Sequence, residues 1–498
     1  MKLEQQSSYR QTLKATGLFG GVQVFNILIG IVRSKFIAVL LGPAGMGIAG
    51  LLTSTIGMIA GLTEFGLGSS AVKNVAEAHA QHDKQRISVV VSTLRRLVWI
   101  TGLLGTFVTL VLAPWLSELT FGNWDYTYPF MFLSITLLFT QLSIGQNVLL
   151  QGTRSLKKLA KANVLGSSLG LFVTVPLYYY FGTDGIVPAI SIASVVTLTL
   201  SWYFSRTIPI KSTQLSFKEI WHEGHGMLTM GFLLSLSGLL ALAVSYLTKI
   251  YIGRVGGMDQ VGLYNAGFAI IVTYTGLVLS AMGTDYYPRL SGVAHNNQLS
   301  KEVINQQAEI AVLLLAPLLM AFFVFGNWIV QLLYSSQFIP VNGMIHWAAL
   351  GMFFRAVSWS IAFIFMAKGA SKLFFVNELV ANIYGLLFNV LGYKFFGLDG
   401  LGMAFLVSYI VYLVQVFVVC NRKYVFGFGS NFVRIFALQL ACAGTCFCVV
   451  KFISSPYQYL VGIGLIVLSS VYSLRELNKK LAIKEIITAR LKKNKRGK

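Results

Sequence analysis

Charge is what this sequence has least of. Only 11% of its 498 residues are Asp, Glu, Lys or Arg, and 55% are hydrophobic; an average soluble domain is about 25% charged. Mean hydropathy is +0.70. A water-soluble core of this composition would have too little polar surface to coat it, so lipid is the solvent for most of the chain. That excludes a cytosolic enzyme, a secreted disulfide scaffold, a disordered regulator and a DNA-binding domain. Acid is scarcer still: 17 Asp and Glu stand against 39 Lys and Arg, a net charge of +22. In a soluble protein such an excess would suggest nucleic acid. Here the cations lie between apolar runs, and no nucleic-acid partner is expected.

Other absences narrow the chemistry. The four cysteines, Cys420, Cys442, Cys446 and Cys448, have no zinc-ligand spacing and read as small apolar residues of membrane helices. No Walker A sequence is present, so the chain is not expected to hydrolyse ATP. His79 with His82, and His222 with His225, are spaced like metal ligands but read as solvated loop residues. No Ser/His/Asp set or catalytic carboxylate pair stands out, so neither enzyme activity nor a cofactor or metal is expected. The opening stretch MKLEQQSSYRQTLK has no cleavable-signal pattern, and the first apolar segment is expected to insert and stay.

What the chain does have is long apolar runs. Fourteen segments have the length a helix needs to cross a bilayer, about 20 residues. They lie near 15–41, 45–72, 88–112, 128–150, 163–181, 186–205, 227–252, 263–284, 308–333, 343–367, 376–396, 401–420, 435–453 and 458–474. Continuous runs favour helices over ten-residue barrel strands. Lys and Arg concentrate in alternate gaps, whereas 113–127, 181–185, 334–342 and 454–457 contain none. The positive-inside rule then places both termini in the cytoplasm. The basic tail reads as an anchor on an anionic leaflet. Trp115, Trp124, Tyr126 and Tyr128 read as an interfacial belt at the opposite face.

The chain also repeats itself. At an offset of 215 residues, Gly42, Gly47, Gly61, Gly68, Gly170, Gly182 and Gly185 fall on Gly257, Gly262, Gly276, Gly283, Gly385, Gly397 and Gly400. FGTDG (181–185) recurs as FGLDG (396–400), and Lys157 falls on Lys372. Six helices per repeat keep both copies in the same orientation, a parallel repeat. The expected fold is an all-α integral membrane protein of 14 transmembrane helices. Two six-helix bundles, 1–212 and 213–425, enclose a central cavity. Two extra helices follow at 426–475, and a basic cytoplasmic tail at 476–498. Such a fold transports by alternating access.

Charges inside apolar spans are costly and default to function. Arg33 and Lys35 lie in the first segment, Glu64 in the second, Lys249 in the seventh, Arg355 in the tenth, and Glu378 opens the eleventh. Lys394 and Lys451 can snorkel. Arg33 and Lys35 are two residues apart and cannot share a helix face; Arg33, the deeper, is the cavity candidate. Arg33, Lys249 and Arg355 supply fixed positive charge, which suits an anion, and guanidinium matches phosphate oxygens in pairs. Glu64 either pairs with Arg33 or carries a coupling proton. Glu378 reads as interfacial.

Four stretches resemble bacterial O-antigen flippases: FNILIGIVRSKFIAVLLGPAGMGIAGLL (25–52), EFGLGSSAVKNVAE (64–77), QGTRSLKKLAKANVLGS (151–167) and MGTDYYPRLSG (282–292). These flippases form the polysaccharide-transport branch of the multidrug/oligosaccharidyl-lipid/polysaccharide exporter superfamily. The resemblance covers the whole chain, and two six-helix halves plus two helices is that branch's layout. It implies a flippase moving an undecaprenyl-pyrophosphate-linked oligosaccharide from the cytoplasmic to the periplasmic leaflet of the inner membrane. The implied partners are this lipid, the bilayer, and polysaccharide polymerase and chain-length machinery. Arg33 matches a basic position of the family's first helix. The alternative is an ion-coupled multidrug-type exporter of the same superfamily, which usually has twelve helices and acidic cation sites. The major facilitator signature between the second and third helices is missing from SSAVKNVAEAHAQHDKQ.

Overall fold

A computed structural model describes residues 2–81, 83–210 and 213–481, with side chains from residue 21 onward except at 233, 234, 274 and 481. Most of the basic tail, and His82, lie outside the described residues. The described residues are helical and contain no strand. In order they form α1 (Lys2–Thr63), α2 (Leu67–Ala80), α3 (Lys84–Phe121), α4 (Thr127–Gly152), α5 (Leu156–Phe181), α6 (Ile186–Ser205) and α7 (Phe217–Gly256). Then come α8 (Met258–Phe268), α9 (Tyr274–Gly292), α10 (Asn297–Leu333), α11 (Asn342–Ala367), α12 (Ser371–Tyr424), α13 (Ser430–Phe452) and α14 (Tyr457–Leu481).

Eleven stretches are long and apolar enough to cross a membrane, so the chain is a multi-pass membrane protein. The difference from fourteen has a local cause. Three stretches, Gly21–Thr63, Leu156–Ser205 and Ser371–Tyr424, are 43, 50 and 54 residues long. Each covers two of the expected segments. Each turns at one glycine with positive φ: Gly42 (φ 65°, ψ −169°), Gly182 (φ 55°, ψ −131°) and Gly397 (φ 57°, ψ −137°). An L side chain is strained there, and glycine is not.

The repeat is visible in the backbone. α4 and α11 begin and end 215 residues apart, and so do the starts of α5 and α12. Gly182 and its mate Gly397 share φ and ψ within a few degrees. Three residues on, Gly185 packs on the carbonyl of Leu177 and Gly400 on that of Gly392, leaving no room for a Cβ. Those four positions are again offset by 215. In lipid there is no hydrophobic drive between helices, and close backbone packing at small residues takes its place.

By contacts the chain divides into two compact units. The first comprises residues 1–262 with 333–335. Its core includes two clusters among the described residues. Leu67, Val75, Val91, Leu94, Leu149 and Ile220 join α2, α3, α4 and α7. Leu52, Ala113, Phe130, Leu133, Tyr178 and Ile186 join α1, α3, α4, α5 and α6. α7 starts in the polar connection with a capping box: Ser216 Oγ accepts from the Glu219 amide, and the Ser216 amide donates to Glu219 Oε2 at 2.7 Å. The Ser216 amide and hydroxyl, both donating to Glu219 Oε2, hold the Glu219 carboxyl below its ordinary range. His222 and His225 lie on this helix rather than in a loop, with His225 against the Trp221 ring. His79 lies in the last turn of α2.

The second unit comprises residues 263–332 and 336–498. α10 and α11 form its most buried part, with Ile304, Val312, Leu319, Phe353, Val357 and Phe365 inaccessible or nearly so. α11 packs along α12. The two last helices are tied to α10 by buried charge: Glu309 pairs with Lys480 of α14 and accepts from Asn431 Nδ2 of α13 at 3.2 Å. Glu476 pairs with Lys479 at 2.8 Å and Arg434 at 3.8 Å.

Candidate functional site

The cations within the spans sort by what engages them. Lys35 donates to the main-chain carbonyl of Tyr334. Arg254, at the end of α7, donates to the carbonyls of Glu118 and Leu119, which end α3. These two side chains satisfy helix-end acceptors, a structural duty.

Arg33 differs. It lies on α1, nine residues before Gly42, about 13 Å along a helix. No carboxylate among the described residues pairs with it. Its Nε is buried without a hydrogen-bond partner. The guanidinium lies beside Gly170 of α5; a Cβ there would come within 3.2 Å of Nη2. A cation at mid-membrane costs about 2.5–3.5 kcal/mol on insertion scales, and a donor left open at that cost is suited to an anion. The structure thus separates Arg33 from Lys35 by the engagement of Lys35, where the sequence offered only depth.

Lys249, on α7, donates to Ser54 Oγ of α1 at 2.8 Å. No acid among the described residues offsets its charge. Glu64 sits where α1 ends, its amide donating to the Ala60 carbonyl at 2.8 Å. It forms no ion pair with Arg33 or with any other cation among the described residues.

Arg355 belongs to the second unit. Its guanidinium lies 5.5 Å from the centre of the Tyr409 ring and contacts Met352 Sδ at 3.9 Å. It lines a cavity of about 250 Å³ with Ser358, Trp359, Glu378, Tyr409 and Tyr412. Glu378 Oε1 accepts from the Tyr412 hydroxyl at 2.5 Å. Glu378, expected to be interfacial, lines the Arg355 cavity. The signal available was the pair Tyr409 and Tyr412, three residues apart and so on one face of α12. The cavity combines a cation, an acid and aromatic faces, the means to hold a polar group that also has apolar faces.

Among the described residues no group of three or more His, Cys, Asp or Glu side chains could hold a metal.

The family model described as "Polysaccharide biosynthesis protein" matches residues 36–343. The Lipid III flippase of Escherichia coli (strain K12) is 21% identical over 391 residues, 77% of this chain and 92% of that protein. Stage V sporulation protein B of Bacillus subtilis (strain 168) is 24% identical over 209 residues, 40% of each chain. In fold, the chain resembles the lipid II flippase MurJ in an inward closed conformation, with TM-score 0.73, 11% identity and coverage of 93% of this chain and 99% of that one. It also resembles an inward-facing multidrug resistance MATE family transporter of the MOP superfamily, with TM-score 0.68, 16% identity and coverage of 84% and 96%. A transporter fold thus carries a family match over more than half its length, and the chain belongs to the polysaccharide biosynthesis protein family.

Proposed function

We propose that this protein is a flippase for a polyprenyl-pyrophosphate-linked oligosaccharide, carrying a polysaccharide repeat unit such as O-antigen from the cytoplasmic to the periplasmic leaflet. The observation that carries the reading is Arg33: a guanidinium in a membrane-spanning helix with a buried Nε that no group among the described residues satisfies. A pyrophosphate supplies the missing acceptors and the missing negative charge. Lys249, engaged by a single hydroxyl, is a second cation of the same unit available to the anion. Arg355, over the Tyr409 face and near Glu378, is assigned to substrate contact in the second unit. The family match and the names of the relatives support the same chemistry.

No covalent step is needed. The obstacle is desolvation of a charged, sugar-bearing headgroup in hydrocarbon, and fixed cations lower that cost along a polar path. The apolar tail stays in lipid. The positive-inside pattern places both termini in the cytoplasm, and the membrane is the bacterial inner membrane. Polymerase and chain-length machinery act on the product at the far leaflet. Glu64, unpaired among the described residues, is assigned the coupling role.

The test is transfer in liposomes. The purified chain is reconstituted with a polyprenyl-pyrophosphate oligosaccharide, and exposure of the sugar at the far leaflet is followed with and without an ion gradient. Protein-dependent transfer is expected. A folded protein that moves organic cations and leaves the lipid-linked sugar in place would overturn the reading in favour of a multidrug-type exporter.

A further inference from the structure

A charged groove of the first unit plays no part in the account above. It lies between α3, α4 and α6, at the end where α6 stops, and has a volume of about 680 Å³. Arg95 and Arg206 line it, together with Trp99, Trp202 and Gln146, and no acidic residue does. Neither arginine has an ion-pair partner among the described residues. Arg206 is held by rings instead, its guanidinium 4.9 Å from the centre of Trp202 and 5.0 Å from that of Tyr203. Gln146 Oε1 accepts from the Ser205 hydroxyl at 2.5 Å, so its NH2 is the end left to donate.

The groove opens on an exposed, largely apolar face of this unit. Trp99 and Trp202 are 50% and 49% exposed. From Trp99 the exposed apolar stripe continues along α3 through Leu103, Phe107 and Leu110. From Trp202 a second stripe continues along α6 through Val195 and Ile192. Indole rings at the junction of a polar and an apolar zone mark the interfacial layer of a bilayer. Two guanidiniums at that level, with hydrocarbon-facing walls beyond them, are complementary to a phosphate attached to acyl chains.

We propose that this groove binds an anionic phospholipid of the surrounding membrane. Arg95 and Arg206 hold the headgroup phosphate, Gln146 donates to it, and the acyl chains lie along Leu142 and Leu198 and out onto the α3 and α6 stripes. The site is separate from the residues assigned to the transported substrate. It makes the lipid a tightly held component of the protein, one whose headgroup charge matters.

The probe is a phospholipid with brominated chains, which quenches tryptophan on contact. The full chain is placed in nanodiscs of zwitterionic phosphatidylcholine, and brominated phosphatidylglycerol or brominated phosphatidylcholine is titrated in. Preferential binding predicts half-maximal quenching at a roughly tenfold lower mole fraction for the glycerol lipid. Trp99→Phe with Trp202→Phe should remove that preferential component, and Arg95→Gln with Arg206→Gln should bring the ratio to about one. If the double Gln variant unfolds early, Arg206→Gln alone, at an exposed position, should lower the ratio severalfold. Equal quenching by the two lipids in the unaltered protein would overturn the proposal. So would a preference that survives in the folded Gln variants. Displacement by millimolar inorganic phosphate would reduce the site to one for free phosphate. Displacement by polyprenyl pyrophosphate at a lower mole fraction than phosphatidylglycerol would reassign it to the transported lipid.

Discussion

The two repeats share their turns and differ in their chemistry. Gly182 and Gly397 adopt one backbone geometry, and Gly185 and Gly400 pack on carbonyls 215 residues apart. At the same offset, however, Arg33 becomes Thr248, while Arg355, Glu378 and Tyr412 of the second repeat stand where the first has Thr140, Asn163 and Thr197. The notch tells the same story. Gly170 faces the Arg33 guanidinium, whereas a Cβ built on its mate Gly385 meets nothing within 4 Å. Duplicated backbone supplies the scaffold. Divergent side chains give each half its own polar groups, a fixed cation in one and a mixed aromatic, acidic and cationic cavity in the other.

The comparison can be broken at its strongest point, the turns. Gly182→Ala and Gly397→Ala each force a side chain into backbone that L residues avoid, at a cost of about 1–3 kcal/mol. Thermal unfolding in detergent should drop by similar amounts for the two. A loss confined to one would mean the turns are not equivalent.

The notch gives the next largest effect. Gly170→Leu displaces the guanidinium and should slow lipid-linked sugar transfer about fivefold, ~1 kcal/mol. Gly385→Leu, with open space around it, should leave transfer within about twofold of the unaltered protein, a difference of ~0.4 kcal/mol. Equal losses at both sites would show that the notch matters for packing rather than for Arg33.

Smaller effects separate the remaining charges. Lys249→Met keeps the length of the side chain and removes its charge, and should lower transfer about threefold, ~0.7 kcal/mol. Glu64→Gln should abolish the dependence of transfer on an ion gradient while the protein still binds its lipid. Loss of folded protein in Glu64→Gln would assign that carboxyl to stability instead.

Much of this was legible in the sequence because lipid imposes simple rules. A membrane helix must be apolar and about 20 residues long, and both conditions can be read from a single chain. The glycine offset was legible because close backbone approach admits no other residue, and Gly185 and Gly400 show that constraint directly. The count of fourteen against eleven stretches turned on whether a helix bent at Gly42, Gly182 or Gly397 is one element or two, which composition does not register. The site was less legible. Sequence depth favoured Arg33 over Lys35, and the structure adds that Lys35 is engaged by the Tyr334 carbonyl, 299 residues away along the chain. The Glu378 environment depends on Tyr409 and Tyr412, one helical pass later, and the partner of Lys249 is Ser54, 195 residues away. Partners distant in sequence decide the role of a charge, and spacing along one helix does not reveal them.

The central claim is that an unsatisfied guanidinium in the membrane holds the phosphate of a lipid-linked sugar. The direct measurement is the transfer rate in liposomes for Arg33→Ala and Arg33→Lys, each shown to unfold at the temperature of the unaltered protein. The account predicts at least a tenfold loss for Ala, ~1.4 kcal/mol or more, and a partial loss for Lys, which keeps the charge without the paired donors. Transfer by Arg33→Ala at the unaltered rate would contradict it.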